Sequence, residues 1–468
     1  MDRSSTGDRI AGRHSPEPAQ RIDKEAKGQA TPFLPRDDGE PIMCAAQHRE
    51  SSVPNARFFP TLRLRPRNIQ NLALALTTML LAAMLSGGLS GPAAAQSTAG
   101  DGGSAQCPNG QVPTGQECAD TDDVAAGIRA IVAETIAELH LKAVIVGVKI
   151  GDTPVLSESW GKSMTGVPAT GNMHFRNGAV AIAYLSTVLL ELQDRGVLSL
   201  DDRLSKWFPD YPKSDRITLK MLINSTSGYT DYVNLDILPL YEDVFRHWTP
   251  DELIAIGLSQ PMVCDPGTCF AYAHTNFVIL GKVLSKATGK PVEELIREGI
   301  LAPLSLKDTR SEATAEIQQP VLHAFTSERG IYEDSTYWNP SWTLARGSIM
   351  TTNVPDLLTS AIAIGSGALL SENGYAEMIA PPEKPMSPFP EGAYYGLGVL
   401  VTNSWIVQTP AFAGYAAAMA YLPQRRIAIA VTATMEPEAN DELRSTDVLF
   451  ARIGRFLAPD QAPIMRSR

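Results

Sequence analysis

The chain has 468 residues, of which 44% are hydrophobic and 19% charged, a composition typical of soluble globular proteins rather than disordered or fibrous ones. Its formal net charge is −11 at pH 7, and residues 68–468 carry 28 basic against 42 acidic side chains. This acidic balance excludes nucleic acid as an expected partner, because recognition of phosphates requires a positively charged surface.

The first 67 residues are polar, rich in Pro, Arg and Ser, and show neither helical nor strand periodicity. Such a composition predicts a disordered extension. The alternative is a start codon assigned too early, with Met43 as a later candidate.

Residues 68–95 have the pattern of a signal peptide. Three arginines precede the apolar run Leu72–Leu85, and Ala-Ala-Ala stands just before Gln96. The run is shorter than the roughly 20 residues of a membrane span, so cleavage after Ala95 and a periplasmic or secreted protein are predicted. If the segment were not cleaved, it would be the protein's expected membrane attachment. A buried core helix is the structural alternative.

The cysteines indicate an oxidising compartment. Cys107, Cys118, Cys264 and Cys269 follow the predicted cleavage site, whereas Cys44 precedes it. An even number of cysteines in an exported chain favours disulfides. Three pairings are open, and short loops containing Gly favour pairing each cysteine with its neighbour in sequence. Neither spacing is a C-x-x-C, so no metal and no cofactor is expected.

Residues 96–120 are rich in Gly, Ser, Gln and Pro and predict a short tail before a domain over 121–460. Helical spacing over Val124–Leu139 predicts the first helix. The β-prone runs Val144–Ile150 and Pro154–Trp160 flank a Gly-Asp pair, which favours a hairpin.

Apolar residues at helical spacing over 180–192 predict a central helix that is buried on most sides. Near the other end, Ala416–Leu422 and Ile427–Thr434 predict strands, and Asp441–Leu457 fits a closing helix. Strands at both ends with helices between them indicate one α+β domain of two lobes.

Several segments resemble the β-lactamase-related serine hydrolases, which include class C β-lactamases, D,D-carboxypeptidases and esterases. They occur in the family's order between Val124 and Leu457. The resemblance implies a penicillin-binding-protein/serine β-lactamase-like fold, an antiparallel sheet flanked by helices with a helical lobe. The matching segments are Phe175–Tyr184, Leu192–Asp202, Thr218–Gly228, Pro266–Thr268, Tyr272–Gly281, Pro303–Leu304, Ala345–Leu358, Tyr395–Gly398 and Gly414–Pro423.

In this family a Ser-x-x-Lys motif opens the central helix, where positions i and i+3 share one face. The corresponding residues here are Ala179 and Ile182. Alanine has no nucleophilic atom and isoleucine no base, so the standard acyl-enzyme route is predicted to be absent. The literal motif Ser159–Lys162 ends a β-prone run instead of opening a helix, and we interpret it as a strand end.

The family's Tyr-x-Asn element appears as Tyr272-Ala273-His274. The phenol that relays a proton in the family is retained, whereas the amide that holds substrate is replaced by imidazole. Alternatively, Tyr272 and His274 are packed side chains whose polar atoms are satisfied within the fold.

The family's Lys- or His-Thr-Gly element corresponds to Gln408-Thr409-Pro410, followed by Ala411. Proline adds bulk where glycine lets a substrate approach, and it removes one backbone donor. Substitution of side chains does not delete backbone N–H groups, so Ala179 and Ala411 are expected to keep an oxyanion-binding pair of donors. The resemblance therefore implies a cleft that binds an anionic group without reacting.

Three functions remain open at this point. The first is an exported pseudo-hydrolase that binds a cell-wall peptide, an ester or an envelope protein in the former active-site cleft, at Ala179, Tyr272, His274, Thr409 and Ala411. The alternative is an active esterase, D,D-peptidase or β-lactamase-like hydrolase in which Tyr272 and His274 activate water. The third is an envelope scaffold whose cleft has no role.

Overall fold

The computed structural model describes residues 107–464 except 116, 234–238, 312–313, 345–349, 385, 387 and 440–444. The predicted extension over 1–67 and the predicted signal peptide over 68–95 lie outside the described residues. Among the residues described, no helix is long and apolar enough to cross a membrane.

The described strands and helices follow one another along the chain from Gln111 to Leu457. The strands are β1 (Gln111–Thr114), β2 (Glu117–Asp120), β3 (Leu141–Ile150), β4 (Thr153–Met164), β5 (Val167–Pro168), β6 (Phe175–Arg176), β7 (Arg310–Ser311), β8 (Phe325–Thr326), β9 (Glu333–Asp334), β10 (Met350–Thr352), β11 (Ala393–Tyr395), β12 (Leu400–Thr402), β13 (Trp405–Gln408), β14 (Ala411–Phe412), β15 (Tyr415–Leu422) and β16 (Ile427–Met435). The helices are α1 (Thr121–Leu139), α2 (Val180–Asp194), α3 (Leu219–Ile223), α4 (Pro250–Ser259), α5 (His274–Thr288), α6 (Val292–Ile296), α7 (Val354–Gly365), α8 (Glu372–Ile379) and α9 (Ser445–Leu457).

A twisted antiparallel sheet forms the centre of the fold, with strand order β11-β12-β13-β15-β16-β3-β4-β5 and β14 paired to β15. The predicted hairpin is present, with Val144 opposite Trp160. Strand β16 pairs with β15 on one side and with β3 on the other, so segments from both ends of the domain lie side by side. The predicted α+β fold is confirmed.

Both faces of the sheet are covered, because residues on the central strands alternate between two hydrophobic clusters. On β3, Val144 and Val146 belong to the cluster that includes residues of α1 and α9. Ile145, between them, belongs to the larger cluster that includes α2 and α7. Burial on both faces explains why these strands are continuous apolar runs in the sequence.

Helix α2 lies within the larger cluster, and 12 of its 15 residues are buried. Its few polar side chains are paired inside the fold. The Tyr184 hydroxyl donates to Ser360 Oγ at 2.6 Å, and the Ser186 hydroxyl donates to the Leu397 carbonyl at 2.5 Å. A helix that is apolar on all sides is stable only when surrounded by protein, which makes α2 a fixed base for the residues at its start.

The expected tail over 96–120 differs from the structure, because the chain is folded from Cys107 onward. Strands β1 and β2 form a hairpin closed by the Cys107–Cys118 disulfide. Val112 is buried, and the Gly115 N–H donates to the Leu457 carbonyl at 3.2 Å. The disulfide and this contact with the end of α9 hold in place a segment whose composition alone predicts a loose tail.

The second disulfide joins Cys264 to Cys269, so both bridges are the local pairs that short loops favour. We expect thiol titration of the denatured, unreduced protein to detect none of these four cysteines. After reduction, four thiols are expected if the chain is cleaved after Ala95, and five if Cys44 is retained. Titratable thiols at any of the four before reduction would contradict the pairing.

Candidate functional site

A cavity of about 380 Å³ opens at the start of α2, beside β13 and β14. Most of the residues proposed for the site from the sequence line it, and Ile182 is not among them. Those that line it are Ala179, Tyr272, His274, Gln408, Thr409, Pro410 and Ala411.

The start of α2 separates Ala179 from Ile182, the two residues that the sequence analysis predicts to correspond to Ser-x-x-Lys. Gly178 has a φ of +52°, and the Ile182 N–H donates to the Ala179 carbonyl at 3.0 Å, which closes the first turn. Ala179 therefore lies at the cavity wall, whereas Ile182 is completely buried. The methyl group of Ala179 offers no polar atom to a ligand.

Pro410 and Gln408 pack against this turn and the neighbouring loop. A Cβ added to Gly178 would lie 2.8 Å from Pro410 Cβ, so Pro410 lies directly against the backbone that precedes Ala179. The Gln408 side chain is buried, and its Nε2 donates to the Gly398 carbonyl. One of its two amide N–H groups is therefore engaged by the protein itself.

The Cys264–Cys269 loop holds the segment that leads to Tyr272. The Val263 N–H donates to the Gly228 carbonyl at 2.8 Å, and the Ala271 N–H donates to the Ser225 carbonyl at 2.8 Å. The disulfide-closed loop is thus tied to the Thr-Ser-Gly turn on both sides. Tyr272, next in the chain, is set in position by these backbone contacts.

Aromatic rings line the cavity on two sides. On one side the Phe270 and Tyr395 ring centroids are 5.5 Å apart, and the Tyr272 and Tyr395 centroids are 6.4 Å apart. On the other side Trp342 and Phe412 are stacked, with centroids 5.3 Å apart and an interplanar angle of 13°. Sequence reasoning identified Tyr272 as a site residue but not the other four rings, because they come from separate segments that meet only in the fold.

Sequence reasoning also missed Asp231, which binds His274. The His274 Nδ1 lies 3.0 Å from Asp231 Oδ2, and the His274 backbone N–H donates to Asp231 Oδ1 at 2.9 Å. The Asp231 carboxylate thus holds both the backbone and the imidazole ring of His274, the first residue of α5. When Nδ1 carries the proton that Asp231 accepts, Nε2 is the basic nitrogen. The signal in the sequence was an aspartate soon after the Thr-Ser-Gly turn.

Burial by itself would raise the pKa of the Asp231 carboxyl. His274 lowers this pKa through its charge and its hydrogen bond, and the backbone N–H groups of Val233 and His274 lower it further. Together these effects outweigh burial, so the pKa lies below its ordinary value. Asp231 therefore keeps its negative charge at neutral pH. An ionised carboxylate that orients an imidazole is the arrangement that makes a histidine a directed proton acceptor.

We expect Asp231→Asn to lower the free energy of unfolding by about 1 to 2 kcal/mol at pH 7, since hydrogen bonds to a charged group are lost. A depressed folded-state pKa adds stability above the unfolded carboxyl value of about 3.9, and this stability is lost as the pH falls through the folded value. The difference between the two proteins should therefore shrink below about pH 4. Urea unfolding at several pH values measures it, and a difference that grows on acidification would contradict the assignment.

Among the described residues, no group of three or more His, Cys, Asp or Glu side chains is placed to hold a metal ion. The polar groups at the cavity include the Asp231–His274 pair, the Tyr272 phenol, the Thr409 hydroxyl and the Asp447 carboxylate. These groups can bind a polar ligand and transfer a proton.

Comparison with known proteins identifies the family. A family model described as Beta-lactamase matches residues 128–452, which is more than half of the chain. The chain belongs to the beta-lactamase family. Its match to penicillin-binding protein 4 of Amycolatopsis lactamdurans is 28% identical over 171 residues, covering 36% of this chain and 43% of that protein. The chain spans half or less of the length of this and two further curated relatives.

Solved structures show that this member of the beta-lactamase family shares its fold with amide-cleaving proteins. A D-stereospecific amidohydrolase from Streptomyces sp. has a TM-score of 0.61 and 24% identity, covering 71% of this chain and 98% of that chain. A D-amino acid amidase from Ochrobactrum anthropi SV3 has a TM-score of 0.63 and 23% identity, covering 72% of this chain and 97% of that chain. At this level of identity the likeness establishes the fold alone.

Proposed function

We propose that this protein is a non-acylating member of the beta-lactamase family that binds a cell-wall peptide, an ester or an envelope protein in the cavity beside Ala179. The observation that carries the proposal is the start of α2. Ala179 lies at the cavity wall with a methyl group, and Ile182 is completely buried one turn later.

Covalent catalysis needs a nucleophile and a group that takes its proton. Neither a hydroxyl nor an amine is present at these two positions. In enzymes stripped of such a pair, binding and oxyanion stabilisation leave about 10³ to 10⁴ over the uncatalysed rate, far below ordinary turnover. A cavity of about 380 Å³ without these groups is suited to binding.

We expect no covalent adduct after incubation with fluorescent penicillin or a fluorophosphonate probe. Intact-protein mass spectrometry is the measurement, with heat-denatured protein as the control for nonspecific labelling. No turnover of a chromogenic cephalosporin is expected either. A stoichiometric acyl adduct on any serine near Tyr272 would falsify the proposal.

The two disulfides support an exported protein, since such bridges persist in oxidising compartments. We propose a periplasmic or secreted location, with cleavage after Ala95. Fractionation of cells that produce the full chain, followed by amino-terminal sequencing of the recovered protein, tests both parts. Recovery of the protein in the cytoplasmic fraction with its first 95 residues intact would contradict both.

The Asp231–His274 pair favours a second candidate function, direct hydrolysis of an ester by water. His274 lines the cavity, and its Nδ1 is 3.0 Å from the carboxylate, so Nε2 would take a proton from water and return it to the leaving alcohol. Hydrolysis of p-nitrophenyl esters by the native protein, lost in His274→Asn and without an initial burst, would establish this function. The absence of any His274-dependent rate leaves binding as the function.

A further inference from the structure

The walls of the cavity have a definite chemical character. Two sets of rings face it, Phe270 with Tyr272 and Tyr395 on one side, and the Trp342–Phe412 stack on the other. Aromatic faces bind flat or bulky apolar groups and also attract cations, because the ring face carries negative charge density.

Two carboxylates lie at the cavity or directly behind its wall. Asp231 lies behind His274 at 3.0 Å, and Asp447 lines the cavity itself. Among the described lining residues there is no lysine or arginine. Carboxylates near a partly enclosed site lower the affinity for an anion and raise it for a cation, because the local dielectric screens charge less than water does.

The strand beside Ala179 offers few donors to an anion. The amide of Gln408 donates to the Gly398 carbonyl, and Pro410 has no N–H. The Thr409 hydroxyl remains at the cavity, and it is neutral. The backbone donors expected at this site suit the oxygen of a carbonyl group, whereas a carboxylate needs full compensation of its charge. The structure thus argues against the anionic ligand that the resemblance implies.

We infer that the cavity selects an aromatic ligand with a neutral or positively charged polar group and discriminates against a carboxylate. This inference rests on the proposed binding function. For a cell-wall peptide, it favours an apolar residue carrying an amide or amine over a free carboxyl terminus.

Three probes of nearly equal shape test this: 3-phenylpropylamine, 3-phenylpropanamide and 3-phenylpropanoate. Titration calorimetry on the full chain, with protein-observed NMR for weak binding, should give at least about tenfold weaker binding for the carboxylate than for the amine, a difference of about 1.4 kcal/mol. The amide should lie between them. Raising the salt concentration should narrow the difference.

Variants locate the binding. Phe270→Leu keeps an apolar side chain but removes a ring, so about fivefold weaker binding of the amine is expected. Phe245→Ala is the matched control, since Phe245 is 67% exposed and does not line the cavity.

The outcomes separate the two proposals. Carboxylate binding equal to or tighter than amine binding, and sensitive to Phe270→Leu, overturns the charge selection but leaves a binding cavity. If neither the three probes nor larger peptide ligands bind, the binding function itself is overturned. Binding that Phe270→Leu leaves unchanged overturns the aromatic assignment.

Discussion

Replacing Ile182 by lysine is expected to lower the free energy of unfolding by about 3 to 5 kcal/mol, the range measured when a buried charge has no partner. Ile182 is completely buried in the larger hydrophobic cluster. A lysine there would have to lose its charge or draw water into the core. Because the free energy of unfolding of a domain is only about 5 to 15 kcal/mol, this change removes a large part of it.

Urea unfolding followed by circular dichroism measures the effect, and Ile182→Met is the control that keeps an apolar side chain of similar volume, with an expected loss below about 1.5 kcal/mol. For the same reason, we expect that Ala179→Ser combined with Ile182→Lys does not restore acylation by penicillin. A variant as stable as the wild type would show that the core accommodates an amine at this position.

Replacing Gly228 by alanine is expected to cost about 3 kcal/mol or more, through two additive causes. Its φ is +82°, a conformation that costs an L-residue about 1 to 2 kcal/mol. An added Cβ would also lie 2.1 Å from the Cys264 carbonyl oxygen. The backbone of the disulfide loop would have to move away, carrying Phe270 and Tyr272 with it, so binding in the cavity should weaken as well.

Gly289→Ala provides a matched control. Gly289 has a φ of +71°, and no atom lies within 4 Å of the position of an added Cβ. It should therefore show only the backbone cost, about 1 to 2 kcal/mol, with no change in ligand affinity. If both variants lose the same free energy of unfolding, the contact with the Cys264 carbonyl does not contribute to the cost.

The central elements were predictable because their residues are buried on all sides. Strand β16 and helix α2 each appear in the sequence as a largely apolar segment bounded by turn residues, and its length and its β-branched content decide between strand and helix. The folded hairpin at Cys107–Cys118 was not predicted. Its stability comes from a disulfide and from contacts with Leu457 and Arg425, which local composition does not encode.

Residues of the candidate site could be named from the sequence where a family motif matches, as for Ala179, Tyr272 and Pro410, which all line one cavity. The partner of His274 was not, because Asp231 lies 43 positions earlier in the chain and aspartates of this kind are common in loops. The stacked pair Trp342 and Phe412 was missed for the same reason. Each is an ordinary aromatic residue until the fold brings it to the cavity.

The pairing of β3 with β16 determines when this protein finishes folding. Val144 lies opposite Ala433, so the centre of the sheet joins residues from almost opposite ends of the domain. A ribosome must therefore release nearly the entire domain before the sheet can close. Contacts of such long sequence separation form slowly. Until they form, the strand edges of β3 and the apolar run of β15 stay exposed in the nascent chain, where they are open to aggregation and to capture by chaperones.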